Sequence, residues 1–372
     1  MKVLFISNDP TIFDAKSAVR ARMCAYAAKM EELHILSSAG RDAREEQDGN
    51  LFLHPVHTPK LFRVLTLAKR ARKIILEKGI EIVSAQDPFE HGLAALRAIC
   101  GTQAKLHIQV HTDFLSLWFT KGNMRMALLN RYRQHLADRV LPTAAGIRVV
   151  SERIKKSLVE RYRSRINEPS VIPITVDATV PTQVSLPEHP FTFALIAVGR
   201  LEPEKRIEDI LEALKIVNKS YSMVGLFIVG EGRERTRLER RVRFLGLSDR
   251  VIFLGSRPDA WGLMQSAQTF IQASAYEGYG RTLIEAALAK VPIITTDVGI
   301  VGEVFKSNID VLSSPVANPT ALALNITKCI EDTSLRQELP RHAEATAREH
   351  LSLVGDLSTR ISENLAQTLK HT

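Results

Sequence analysis

Two doubly wound α/β domains, built one after the other, are predicted by three features of this sequence. Short runs rich in Val, Ile and Leu recur without the polar alternation of a half-solvated sheet, which is the pattern of parallel strands buried on both faces. Each run ends in a polar turn bearing Gly, Pro, Asn or Asp and is followed by a longer stretch of helical periodicity, the rhythm of βαβ units. The length, 372 residues, suffices for two domains of ordinary size, each with its own core.

The elements follow in order. Residues 2–7, KVLFIS, read as the first strand, with Asn8-Asp9-Pro10 as its exit turn, and a helix is expected over about 18–30. Strands at 32–37, 81–85 and 106–110 continue the sheet, and short strands at 148–151 and 171–173 close the first domain. Residues 180–190 carry Pro181, Pro187 and Pro190 and no periodicity, so they read as a linker between domains at 1–180 and 181–349. Residues 191–198, FTFALIAV, then form a fully buried strand, with a helix from Ile207 and further strands at 225–229, 251–254, 270–273, 291–295 and 308–312. From Ala321 the chain is helical, with a break expected at Pro340.

A hydrophobic content of 45% with 24% charged residues belongs to a soluble globular protein, and no apolar run reaches the length of a membrane span. The N-terminal apolar run is too short for a signal peptide because Asn8 and Asp9 interrupt it, so a cytoplasmic location is expected. Cys24, Cys100 and Cys329 are scattered in apolar surroundings and read as reduced thiols rather than as a disulfide framework or a metal site. The net charge of +9 calls for an anionic partner: nucleic acid, membrane or phosphorylated ligand. In residues 60–78 Lys and Arg interleave with Leu61, Phe62, Val64, Leu65 and Leu67, opposed only by Glu77. Such a basic amphipathic helix lies on an anionic membrane surface or, equally, covers its own core with Lys and Arg stems. Residues 121–165 repeat the bias, with twelve Lys or Arg against Asp138, Glu152 and Glu160.

The most informative stretch is 274–297, SAYEGYGRTLIEAALAKVPIITTD. Tyr276-Glu277-Gly278-Tyr279-Gly280 is a loop, a helix starts near Thr282, and a buried strand follows. Gly278 and Gly280 free the backbone for close approach, and a helix start with open N–H groups favours an anion. Glu277 before the turn and Glu285 within the helix are carboxylates that accept hydrogen bonds from sugar hydroxyls; alternatively, Thr282 and Glu285 make an ordinary capping box.

The pattern E-G-x-G-x-x-x-x-E-A, followed by A-x-x-x-P-I-I-T-T, resembles the donor-site signature of the retaining GT-B glycosyltransferases of family 4. Gly199-Arg200 with Lys205 is similar to the family's G-R-x-x-x-x-K clamp for the donor diphosphate, and Gly255-Ser256-Arg257-Pro258 to its nucleobase loop. His111-Thr112-Asp113-Phe114, after a strand, resembles the element whose histidine faces the donor sugar in some members. The family's paired glycine in the first loop is replaced by Asp14-Ala15-Lys16-Ser17, where Lys16 offers a charge in place of backbone donors.

The resemblance implies a GT-B fold: α/β, two doubly wound Rossmann-like domains facing a central cleft, with a last helix over about 350–372 crossing back to the first. It implies a retaining hexosyltransferase that moves a sugar from a nucleoside-diphosphate donor to a hydroxyl of a glycan or polyisoprenoid-linked acceptor, as in cell-surface polysaccharide or glycolipid synthesis. Arg200 and Lys205 would hold the diphosphate, Gly199, Arg257 and residues Gly278, Tyr279, Gly280, Arg281 and Thr282 the donor, Glu277 the sugar and Glu285 the ribose. His111 would face the anomeric region, with Lys16, Ser17 and Asp113 nearer the acceptor or the first loop. No cofactor and no metal are expected, since the chain has no Asp-x-Asp and two cations stand where charge develops. A sugar-nucleotide epimerase on the same fold and a polyanion binder are the alternatives; nucleic acid ranks last because the basic stretches lack interleaved aromatic stacking residues.

Overall fold

The computed structural model describes residues 1–40, 43–174 and 176–370. The chain divides into two compact units, Met1–Pro173 with Asp356–Thr372, and Ile174–Gly355. This boundary precedes the proline-rich stretch expected as linker, because that stretch is tied to the second unit. Val184 N–H donates to the Gly262 carbonyl at 3.1 Å, and Gln265 Nε2 donates to the Pro181 carbonyl at 2.8 Å.

The first unit runs β1 (Lys2–Ser7), α1 (Ala18–Ala27), β2 (Glu32–Ser38), β3 (Glu46–Asp48), β4 (Leu51–Val56), α2 (Arg63–Lys78), β5 (Ile82–Ala85), α3 (Glu90–Ile99), β6 (Lys105–Val110), α4 (Met124–Val140), β7 (Gly146–Val149), α5 (Glu152–Tyr162) and β8 (Ser170–Val171). Its sheet order is β3-β4-β2-β1-β5-β6-β7-β8, parallel except for the β3–β4 edge. Strand order reverses between β1 and β5, so the C-terminal ends of those strands frame the crevice that open sheets of this type use. The β3–β4 hairpin is not evident in the sequence, because β3 is entirely exposed and polar and β4 is interrupted by His54 and Pro55; Leu51, Leu53 and Val56 nonetheless bury.

The second unit runs β9 (Phe193–Val198), α6 (Ile207–Val217), β10 (Val224–Val229), α7 (Arg235–Leu245), β11 (Val251–Gly255), α8 (Ala260–Met264), β12 (Thr269–Ile271), α9 (Arg281–Leu288), β13 (Ile293–Thr296), β14 (Leu312–Ser314), α10 (Pro319–Glu331) and α11 (Thr333–Val354). All strands pair in parallel in the order β11-β10-β9-β12-β13-β14, which puts the reversal between β9 and β12. Leu195, Ala197, Leu211, Leu214, Leu226, Ile228, Leu322 and Ile326 share the core. Two expectations fail here. The strand expected at 308–312 is a turn, with Asn308 in the left-handed region at φ 61 and Lys306 N–H donating to Asp310 Oδ2 at 2.7 Å; pairing begins only at Leu312. Pro340 does not break the helix: α11 passes through it, and the breaks lie at Asp332, which caps Leu335 N–H at 2.9 Å, and at Gly355. Leu339, Ala343 and Ala347 bury along one stripe of α11, and that packing outweighs the one backbone bond that Pro340 removes.

The chain then returns. Helix α12 (Leu357–Lys370) places Leu357, Ile361 and Leu365 in the first unit's core with Val3, Phe5, Ile35 and Ile82. Its approach to β7 demands a glycine at 146, where a Cβ would lie 2.2 Å from Thr368 Oγ1 and 3.0 Å from the His107 ring. Burying three such aliphatic side chains contributes about 5–9 kcal/mol before the entropy of ordering is subtracted.

Candidate active site

The loops that leave β9 and β12 flank the reversal point of the second sheet, and they carry Gly199, Arg200, Lys205 and Glu277 with the start of the helix that bears Glu285. Gly199 opens the first loop, its N–H donating to the Val229 carbonyl at 3.0 Å, while Leu201 N–H donates to the Glu231 carbonyl at 2.9 Å. Close packing of two backbones makes Gly230 obligatory: its φ is +142°, and a Cβ there would sit 1.9 Å from the Gly199 carbonyl oxygen. Gly230-Glu231-Gly232 is therefore no dinucleotide fingerprint but the floor under the Gly199-Arg200 turn.

Lys205, at the end of that loop, forms an ion pair with Glu277 Oε1 in the second loop, both side chains being largely enclosed. Ser274 Oγ donates to the same carboxylate oxygen at 2.7 Å, and Ala275 N–H donates to the Glu204 carbonyl at 2.7 Å. The two loops are thus joined through both side chains and backbone. Arg200 differs. Its side chain is 74% exposed and meets Glu204 only at 3.4 Å, which leaves its charge available to a ligand.

Helix α9 starts at Arg281 on Gly280, which adopts the left-handed conformation at φ 97 and gives no side-chain cap. The capping box allowed by the sequence does not form. Thr282 Oγ1 donates to Gln272 Oε1 at 2.8 Å, and Glu285 receives Arg281 Nε at 2.7 Å. Burial raises the Glu285 carboxyl above the usual carboxylate range, partly offset by Arg281. The positive end of the helix dipole stays uncovered by any carboxylate of its own first turn. Gly278 and Tyr279 shape the loop: the Tyr279 ring is buried, its hydroxyl bonds His350 Nε2 at 2.7 Å, and its carbonyl accepts Ile300 N–H at 3.0 Å. Arg257 is not part of this cluster; it follows β11, two positions from β9 in the sheet, and is held by Asp259 at 2.6 and 2.8 Å.

In the first unit, His111 follows β6 and its Nε2 lies 3.2 Å from Gln109 Oε1. Burial, reinforced by Arg148, pushes the imidazole pKa down to about 3, so the ring is neutral at ordinary pH. Asp113 is buried and accepts the backbone N–H groups of Ser116 and Leu115; burial raises its carboxyl. Ser17 is the cap of α1, accepting Arg20 N–H at 3.0 Å and donating to the Thr11 carbonyl at 2.7 Å, while Lys16 is exposed beside it.

Sequence reasoning passed over Ser274, Gln272, His350, Gln109 and Arg148. For two of them a signal existed. Ser274 stands three residues before Glu277, within reach of a turn, and Gln109 shares a strand face with His111 by the two-residue period. His350 and Arg148 reach their partners only through the tertiary fold.

Residues 21–180 match the family described as Glycosyltransferase Family 4, and residues 186–349 the family described as Glycosyl transferases group 1. The lipopolysaccharide core biosynthesis glycosyltransferase LpsD of Rhizobium meliloti is 29% identical over 160 residues, 43% of this chain and 46% of that protein, so the match spans less than half of that relative. A glycosyltransferase of Methanocaldococcus jannaschii is 23% identical over 86% of this chain and 85% of its own. Sucrose-phosphate synthase from Thermosynechococcus elongatus shares the fold with a TM-score of 0.80 at 18% identity, covering 100% of both chains. HepE of Anabaena, solved with UDP and glucose, does so with a TM-score of 0.73 at 20% identity, over 98% of this chain and 99% of its own. With a family match on each half and GT-B neighbours along its whole length, the chain belongs to the family 4 glycosyltransferases of the GT-B fold.

Proposed function

We propose that the protein is a retaining transferase that moves a sugar from a nucleoside-diphosphate donor to a hydroxyl of a glycan or lipid-linked acceptor, in the synthesis of a cell-surface polysaccharide or glycolipid. The observation that carries this reading is the Lys205–Glu277–Ser274 cluster beside the uncapped start of α9, at the reversal point of the second sheet. A departing nucleoside diphosphate gains charge as the glycosidic bond breaks, and Arg200, Lys205 and the helix start are donors suited to that charge. Glu277 accepts from sugar hydroxyls and Glu285 from the ribose. Attack on the face from which the diphosphate leaves, with a phosphate oxygen taking the acceptor proton, requires no protein nucleophile. HepE was solved with UDP-glucose, and LpsD is named for lipopolysaccharide core synthesis; both names accord with a sugar nucleotide and a surface glycan.

The first unit supplies a surface for a lipid-borne acceptor. Leu61 is 86% exposed at the start of α2, with Phe62 and Leu65 beside it; Leu117 is 80% and Met124 79% exposed around the start of α4, with Leu128 following. Both helices start in loops that leave the C-terminal ends of parallel strands, and exposed Lys69, Lys73, Lys121, Arg125 and Arg131 lie among these side chains. No helix among the described residues is long and apolar enough to cross a membrane. Apolar tips amid cations suit peripheral contact with an anionic bilayer.

The test is a thermal-shift series with UDP, GDP and ADP and their sugar derivatives. A ligand that binds only the folded state adds about 2.7 kcal/mol at ~100 times its Kd, so the matching base should raise the melting temperature clearly. A well-folded protein unmoved by every nucleotide would overturn the reading.

A further inference from the structure

Tyr279 stands between two residues on which the donor reading depends, Glu277 two positions before it and Gly280, the cap of α9, one position after. Its side chain is 2% exposed, and the residue is tied at both ends. The carbonyl accepts Ile300 N–H at 3.0 Å, and the hydroxyl meets His350 Nε2 at 2.7 Å. Gly299 lets the two loops close on each other: its φ is +60°, and a Cβ there would lie 2.5 Å from the Tyr279 carbonyl oxygen and 3.0 Å from Glu277 Cβ.

His350 stands on firm support within the same unit. It lies on α11, whose Leu339, Ala343 and Ala347 are buried. Glu344 on that helix receives Lys290 Nζ at 3.0 Å just past the end of α9, and Thr346 Oγ1 donates to Asp310 Oδ1 at 2.9 Å. Helix α11 therefore braces α9 from behind at its far end and, through Tyr279, at its start.

The direction of the Tyr279–His350 bond follows from its members. Burial, with Glu303 nearby, raises the phenol, so it keeps its proton, and that proton has no other acceptor among the described residues. Burial alone lowers the His350 imidazole from its ordinary 6.5, so the ring is neutral at pH 7. The phenol then donates, Nε2 accepts, and the ring carries its own proton on Nδ1. Tyr279 is the titratable group that faces the ring; Arg348 and Glu349, its neighbours on α11, are exposed. A protonated His350 would carry hydrogen on Nε2 and set two donors face to face.

We propose that His350 is a positioning residue for the donor loop: by accepting the Tyr279 hydroxyl it fixes the loop that bears Glu277 and the start of α9, and acid releases that hold. The inference rests on the reading of this loop as the donor site. It makes α11 a determinant of donor affinity, acting through Tyr279, and gives that affinity a pH dependence beyond the nucleotide's own.

Full-length parent, Tyr279→Phe, His350→Leu, the double variant and His350→Gln are titrated calorimetrically with UDP, GDP and ADP at pH 7.5 and 5.5, with thermal melts to establish that each is folded. Tyr279→Phe keeps the ring and removes the bond, and it should weaken binding of the matching nucleotide about fivefold at pH 7.5, the worth of one hydrogen bond. His350→Leu should do the same, and the double variant should cost no more than either single, since all three lack one and the same bond. His350→Gln keeps an uncharged acceptor and should retain parent affinity at both pH values, while the parent falls toward Tyr279→Phe at pH 5.5. Comparing proteins at one pH cancels the titration of the nucleotide. A merely structural role would lower melting temperatures without moving these ratios. A parent that binds a nucleotide no better than Tyr279→Phe, losses that add in the double variant, or a parent-to-Phe ratio unchanged by pH overturns the inference and leaves the donor site standing. A parent that binds none of the three overturns the donor reading and the inference with it.

Discussion

Lys205 and Arg200 belong to one loop but differ in their surroundings, and the difference separates their variants. Lys205 is enclosed with Glu277, so Lys205→Ala removes a donor cation and also strands a carboxylate that Ser274 alone then serves. Its turnover is expected to fall about 10²–10³-fold with a loss of roughly 1–3 kcal/mol in stability. Arg200→Ala should cost turnover on the same order, about 10²-fold, while leaving the melting temperature in place, because its side chain is 74% exposed. Steady-state rates and thermal unfolding on both variants check the contrast; near-normal turnover in Arg200→Ala would remove it from the diphosphate. A third residue sets an acid limit. His107 is fully buried and titrates at about 4, against an ordinary 6.5. Between those values the unfolded chain binds more protons than the folded one, so this contribution to stability is intact above pH 6.5 and is lost as pH falls, by about 1.4 kcal/mol per pH unit. His111 shifts in the same direction. Urea midpoints measured between pH 7 and 4.5 should decline, and His107→Gln should flatten the decline.

At the scale of elements, strands with both faces buried were easy to read where apolar residues run almost unbroken: FTFALIAV announces β9. The same rule fails at β3 and β4, where an exposed edge and a Pro-His interruption hide the pairing, and at Pro340, where tertiary packing overrides a local helix breaker. The candidate site was partly visible for a related reason. Glu277 stands out in sequence as a charge beside a glycine, and Lys205 and Glu285 as charges a few residues after one, whereas the decision between ligand site and capping box needed the helix start itself: Gly280, not Thr282, is the cap. The exposed tips of α2 and α4 form a surface that can be tested element by element. Leu61→Glu with Leu65→Glu should abolish flotation with vesicles containing anionic lipid, and Leu117→Glu should weaken it independently, with donor-induced thermal shifts unchanged. Full vesicle binding in the triple variant would remove these helices from the membrane reading.

For the molecule as a whole, the matched families span both halves of the chain, yet the second half ends by lending its last helix to the first unit. That return could not be read from composition, since α12 has an ordinary amphipathic pattern; its destination is written in Gly146 and in the three aliphatic residues it buries. A chain terminated after Gly355 should leave the first unit's core open. Its unfolding in urea should lose the cooperative transition of that unit, and proteases should cleave within 1–173 well before 174–355; a first unit as resistant as in the full chain would mean that α12 contributes little.

The returning helix also bears on how the protein is made. A ribosome releases a chain from its N-terminal side, so β1 to β8 emerge while the residues that close their core, Leu357, Ile361 and Leu365, are still to be synthesised. The whole second unit is translated in the interval and has every element it needs to fold on emergence. The first unit waits with an oily sheet face bare to solvent or to a chaperone, and the half of the chain that is born first is the half that is finished last.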